Sequence, residues 1–266
     1  MSAPKALILR APGINCERET AQAFRLAGAC PELVHVSELV ARRRTLDEFR
    51  ILAFPGGFAY GDDIASGKVL AQELKHHLGD DLVRFLDRGG LCLGICNGFQ
   101  VMVRLGILPG TTGRLEQEVT LTGNLSNHYE CRWVEMASLP SRCVFLPPGL
   151  KLSWPAAHGE GRLLARDERA ARTLLDEGFV PLVYVDERGQ ATERYPANPN
   201  GSPFGIAGLT NASGRALGMM PHPDRAYLPL HMPDWRRMLR EQGTLPEHGC
   251  GMVVFAEMVK VARAEG

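Results

Sequence analysis

No stretch of this sequence approaches the roughly 20 consecutive apolar residues that a membrane-spanning helix requires. The opening Met1-Ser2-Ala3-Pro4-Lys5 runs straight into a strand-like segment, with no apolar region of a secretion signal. Membrane partners are not expected, and the chain is expected in the cytoplasm. Charge of one sign is also missing: thirty Lys and Arg face thirty Asp and Glu, for a formal net charge of zero. Such a chain has no global field to gather phosphate backbones, so nucleic acid is a poor partner despite the local Arg42-Arg43-Arg44 run. The seven cysteines are scattered and contain no C-x-x-C pair, which argues against a zinc site or a disulfide framework and for reduced thiols. Nor is there a G-x-x-x-x-G-K-[ST] loop to hold a nucleotide. What is present is ordinary globular material. The 266 residues are 45% hydrophobic, and a chain of this size buries roughly three quarters of its unfolded surface without staples.

Short apolar runs alternate with amphipathic ones through the first half, the pattern of βαβ units feeding a parallel sheet. Strands are expected at Ala6 to Leu9, Leu33 to Val36, Ile51 to Phe54 and Leu91 to Ile95. Helices are expected from Glu17 to Gly28 behind a cap at Asn15, from Ser66 to Leu78, from Asp81 to Asp87 and from Asn97 to Leu105. Beyond Glu118 the texture becomes short strand candidates with Pro, Gly and Asn punctuation, at 129–136, 180–185, 205–209 and 217–220, before a last helix over Met252 to Ala264. The expected fold is α/β: an open, mostly parallel sheet flanked by helices, with antiparallel additions in the second half. One domain is expected over 1–266, with an extra loop segment at about 226–248 and no internal repeats.

The sharpest local feature is Gly94-Ile95-Cys96-Asn97-Gly98, a G-x-C-x-G sequence between an apolar strand and a helix. A chain that turns from strand to helix within two residues crowds the backbone around its central residue, so glycines flank it. Such a turn lifts the Cys96 sulfur off the sheet edge onto a helix N-terminus. There the dipole favours thiolate, and the Asn97 N–H can donate to an oxyanion. Cys92, within the strand, reads as a small core residue, and Cys16, Cys30, Cys131, Cys143 and Cys250 read the same way.

A thiol nucleophile needs a base. In Met220-Pro221-His222-Pro223-Asp224 the prolines favour extended backbone, which puts His222 and Asp224 on one side. The carboxylate can then hold one ring nitrogen while the other faces the thiol. Phe54-Pro55-Gly56-Gly57-Phe58 ends a strand where open α/β sheets place ligands, and Gly57 is a candidate second oxyanion donor.

In this order, the elements resemble the class I, triad-type glutamine amidotransferases, and within them the family of glutaminase subunits of phosphoribosylformylglycinamidine synthase. The similarity runs over most of the chain. It includes Gly13-Ile14-Asn15-Cys16-Glu17-Arg18-Glu19, Phe54 to Asp63, the elbow continued by Phe99-Gln100, Glu130-Cys131-Arg132-Trp133, His158-Gly159-Glu160-Gly161, Asn198 to Ser202 and Gly218 to Pro223. The resemblance implies hydrolysis of L-glutamine through a Cys96 thioester, with His222 as acid and base and Asp224 orienting it. It also implies an oxyanion hole at Gly57 and Asn97, and Gln100 at the substrate's amino-acid end. Ammonia would pass to a synthetase subunit, and a small accessory subunit is a further partner it allows. No cofactor or metal is implied in this chain, since ATP and Mg would belong to the synthetase.

Two departures stand out. The family usually has Glu where this chain has Asp224, and residues 226–248, with Trp235 and Arg236-Arg237, make a longer link than usual into the last helix. The alternatives are another cysteine-elbow α/β protein, either a different amidotransferase or a DJ-1/PfpI-like one, and a partner-binding subunit without turnover. The former would need the elbow but not the distant His-Pro-Asp, and the latter has no chemical need for all three groups.

Overall fold

A computed structural model describes residues 3–113 and 115–265. In chain order the first half forms β1 (Lys5–Arg10), α1 (Glu17–Leu26), β2 (Cys30–His35), α2 (Val36–Val40), β3 (Ile51–Phe54), α3 (Lys68–Asp87), β4 (Leu91–Ile95) and α4 (Asn97–Leu105). The second half adds β5 (Thr120–Thr122), β6 (Glu130–Ser138), β7 (Lys151–His158), β8 (Arg162–Leu164), α5 (Glu168–Asp176), β9 (Leu182–Tyr184), β10 (Ile206–Thr210), β11 (Ala216–Met219), α6 (Trp235–Gln242) and α7 (Met252–Ala264).

The main sheet runs β2-β1-β3-β4-β11-β10-β9-β6-β7, and β5 pairs with β8 apart from it. The block from β2 to β11 is parallel, and every pairing beyond it is antiparallel. β3 and β4 are buried at every residue, as is Ala6–Leu9 of β1. This is why they read as unbroken apolar runs: a parallel sheet covered on both faces has no solvent side to alternate with. On one side α1 meets α7, where the Phe24 and Phe255 rings stand edge to face at 5.0 Å. Chain order reverses at β1 and β3, the switch point beyond which such sheets bind ligands. The C-terminal ends of β1, β3 and β4 meet there.

Several expectations need correction. The two helices expected at 66–78 and 81–87 are the single α3. Gly79 has no positive φ and no neighbour within reach, so it costs about 1 kcal/mol of helix propensity without ending the helix. Asn15 does not cap α1; the cap position is Cys16, without a side-chain cap bond, and Asn15 Oδ1 instead accepts from the Cys16 thiol at 3.2 Å. Val36 begins α2 rather than ending β2. The stretch before the last helix contains α6, whose residues are all partly or fully exposed. Cys30 and Cys131 are exposed, not core: Cys30 opens an edge strand, and Cys131 takes an outward position on β6.

Candidate active site

Cys96 occupies the cap position of α4 with φ 53° and ψ −109°. That conformation costs a non-glycine residue on the order of 1–3 kcal/mol and persists only where its surroundings enforce it. The enforcement is steric. A Cβ on Gly98 would stand 1.8 Å from the Phe54 carbonyl oxygen, so only a bare residue lets α4 start directly over β3. We expect Gly98→Ala to push the elbow off β3, lowering stability by about 2–4 kcal/mol and activity with it. Thermal melts and ammonia release would check this.

The thiol is buried, and among the described residues its one hydrogen bond is a long one to the Ala157 carbonyl, at 3.5 Å. His222 is 1% exposed, and its Nδ1 lies 3.1 Å from Asp224 Oδ1. Asp224 Oδ2 lies 3.2 Å from the Thr20 hydroxyl, which also bonds Cys16 O at 2.7 Å. The other ring nitrogen, Nε2, is buried with no hydrogen-bond partner among the described residues. The expected extended backbone gives way to a short 3-10 turn over Pro223–Arg225, yet the carboxylate still reaches the ring.

Gly56 shows how tightly these groups gather. A Cβ there would lie 2.8 Å from His222 Cε1, 3.2 Å from Cys16 Sγ and 3.6 Å from Cys96 Cβ. Burial alone would push His222 down, but the charge of Asp224, and then of Cys96, holds the ring well above the ordinary imidazole range. A protonated imidazole held by a carboxylate is a group ready to give a proton to a departing amine.

The two proposed oxyanion donors sit where their backbone can serve. Gly57 has φ 147°, and a Cβ there would stand 2.6 Å from Gly13 O and 2.7 Å from Ile14 Cα, so no side chain fits. Neither its N–H nor that of Asn97 is used in the turn and cap hydrogen bonds around the site. The Asn97 side chain accepts from Ala59 N at 2.9 Å and donates to Asp62 Oδ1 at 3.0 Å and Gln100 Oε1 at 2.9 Å. Gln100 Nε2 donates to Glu160 O at 2.6 Å, and Glu160 Oε2 receives Ser66 N. A buried polar latch thereby ties the 58–67 loop and the 157–160 segment to the start of α4. Burial first, with Glu160 nearby, holds the Asp62 carboxyl above its usual range.

Sequence reasoning missed the residues behind the histidine. Cys16 is buried against it: its sulfur, a His222 ring nitrogen and an Asp224 oxygen lie within 4.8 Å of one another. Arg225 Nη2 donates to that sulfur at 3.0 Å. Burial pushes the Cys16 thiol up, keeping it neutral. The trio could geometrically hold a metal ion, but the guanidinium on the sulfur opposes a second cation. The available signal was positional: Cys16 follows β1 at the same sheet edge as the elbow.

The chain matches the CobB/CobQ-like glutamine amidotransferase domain over residues 3–261. It is 46% identical over 264 residues to the phosphoribosylformylglycinamidine synthase subunit PurQ of Dehalococcoides mccartyi, covering 99% of each chain. It is 43% identical over 236 residues to that of Methanococcus maripaludis strain C7, covering 88% of this chain and 86% of the other. Among solved structures, a chain of PurLQS from Thermotoga maritima superposes with a TM-score of 0.72 at 29% identity, covering 97% of this chain and 99% of that one. The glutaminase domain of Trypanosoma brucei CTPS, at 12% identity and a TM-score of 0.51, shares the fold. A cysteine elbow, a carboxylate-held histidine and this likeness along the whole length agree, and the chain belongs to the CobB/CobQ-like glutamine amidotransferases and, among them, to the PurQ family.

Proposed function

We propose that this chain is the glutaminase subunit of a phosphoribosylformylglycinamidine synthase, hydrolysing L-glutamine to glutamate and ammonia and passing the ammonia to a synthetase subunit in purine biosynthesis. The observation that carries the reading is the buried His222 Nε2, unpartnered on a ring fixed by Asp224 beside the strained Cys96. The Cys96 sulfur adds to the carboxamide carbon, and the carbonyl electron pair moves to an oxygen held by the Gly57 and Asn97 N–H groups. Collapse breaks the C–N bond as His222 gives its proton to the leaving nitrogen. Water then adds to the thioester while His222 takes its proton, and glutamate leaves with the thiol restored.

Gln100 keeps one amide hydrogen and one oxygen lone pair beyond its bonds to Glu160 and Asn97, and these face the amino-acid end of the substrate. The chain acts in the cytoplasm as one domain, needs no cofactor or metal of its own, and leaves ATP and Mg to the synthetase. The test is reconstitution. A synthetase subunit alone should form phosphoribosylformylglycinamidine from ammonium salts but not from glutamine, and adding this chain should confer glutamine use. Failure to confer it, with the ammonia-dependent reaction intact, would reject the proposal.

A further inference from the structure

His158 closes β7 and is 2% exposed. Its Nδ1 lies 3.0 Å from Asn124 Oδ1. The orientation of Asn124 is fixed, because its Nδ2 donates to His128 O at 2.9 Å and His158 O at 2.8 Å, while Oδ1 accepts from Gly161 N at 3.0 Å. With both amide hydrogens spent on carbonyls, the oxygen facing His158 can only accept, so Nδ1 carries the ring proton. Burial, with the facing charge of His222, pushes His158 down to about 3 and keeps the ring neutral. Nε2 is therefore a bare lone pair, and it is buried with no hydrogen-bond partner among the described residues.

This acceptor sits in the segment that runs along the nucleophile. The carbonyl of the preceding residue, Ala157, is the one 3.5 Å from Cys96 Sγ, and two residues on the Glu160 carbonyl holds Gln100. The oxyanion donors provide for the carboxamide oxygen, but they offer nothing to the carboxamide N–H groups.

We infer that His158 Nε2 accepts a hydrogen bond from the carboxamide nitrogen of glutamine and is a specificity-determining residue that separates glutamine from glutamate. Glutamine brings a donor to the lone pair, whereas a γ-carboxylate brings only acceptors, and a site built to bond an N–H rejects a ligand lacking it. Because the ring is neutral, it can hold the departing nitrogen without protonating it; that proton comes from His222.

This inference rests on the glutaminase reading above. Its test compares glutamine with glutamate γ-methyl ester, which forms the same thioester but has no N–H at that position. In the complex with the synthetase subunit, His158→Phe should lower kcat/KM for glutamine roughly 10- to 100-fold and for the ester by less than about three-fold. His158→Gln, whose amide oxygen can restore an acceptor, should recover most of the loss. An equal fall on both substrates, or no fall, would overturn the assignment. A second readout does not depend on the folding of those variants. In Cys96→Ala protein, the ¹⁵N resonance of His158 Nε2 should move when glutamine is added and stay when glutamate is added. No movement, or the same movement with both, would overturn it. A parent complex that turns over neither glutamine nor the ester would instead overturn the glutaminase reading itself.

Discussion

Cys96→Ala is expected to remove glutamine hydrolysis to background, a loss on the order of 10⁴-fold or more, while the protein stays folded. The asymmetry follows from where the sulfur sits. It makes one long hydrogen bond among the described residues, to Ala157 O at 3.5 Å, and its residue's strained φ is imposed by the crossing of α4 over β3 rather than by the side chain. Truncation therefore leaves a small void and the same turn, and stability should change by no more than about 1 kcal/mol. Chemically nothing replaces the nucleophile: no thioester forms, and the oxyanion donors have only water to assist. Ammonia release measured beside a thermal melt separates the two effects.

Asp224→Asn is expected to cost roughly 10²- to 10⁴-fold in kcat/KM. Asp224 is fully buried, and its charge is the largest influence opposing the burial that would otherwise discharge His222. With an amide in its place that burial dominates, the ring gives up its proton at lower pH, and the acid that must protonate ammonia is missing near neutrality. A group whose raised value is lost in this way should move the alkaline fall of the rate profile to lower pH. Asp224→Glu keeps the charge but adds a methylene in a filled space, at about 1–3 kcal/mol of stability, so it should keep more activity than Asn and lose more stability. A pH profile of kcat/KM, taken with urea midpoints for both variants, tests this. An unshifted profile in Asp224→Asn would mean the carboxylate does not govern the histidine.

The parts of this molecule legible in the sequence are those whose cause is local. β4, the elbow and α4 are adjacent in the chain, and the apolar run Leu91–Ile95, whose last two residues open the G-x-C-x-G sequence, states both the burial and the turn. His222 and Asp224 are two residues apart, so their pairing needed only a reach, and it survived replacement of extended backbone by a 3-10 turn. β7 was unreadable because Lys151–His158 contains Pro155 and has no clean alternation, which an edge strand tolerates. Its consequence, an Ala157 carbonyl beside the nucleophile, was hidden with it. Arg225 and Cys16 meet across 209 positions of chain, a contact that sheet order creates and no local pattern announces. The single α3 has a different cause: Gly79 resembles a stop only while the packing on either side is unknown.

Glutamine hydrolysis by this chain requires Cys96 as the nucleophile that takes the glutamyl group. The most direct measurement is intact-mass spectrometry after incubation with a glutamine-analogue diazoketone, with and without the synthetase subunit, on the parent chain and on Cys96→Ala. A single adduct that maps to Cys96, forms faster in the complex and is absent from Cys96→Ala is the predicted result. No adduct on the parent under either condition, or an adduct that persists in Cys96→Ala, would contradict it.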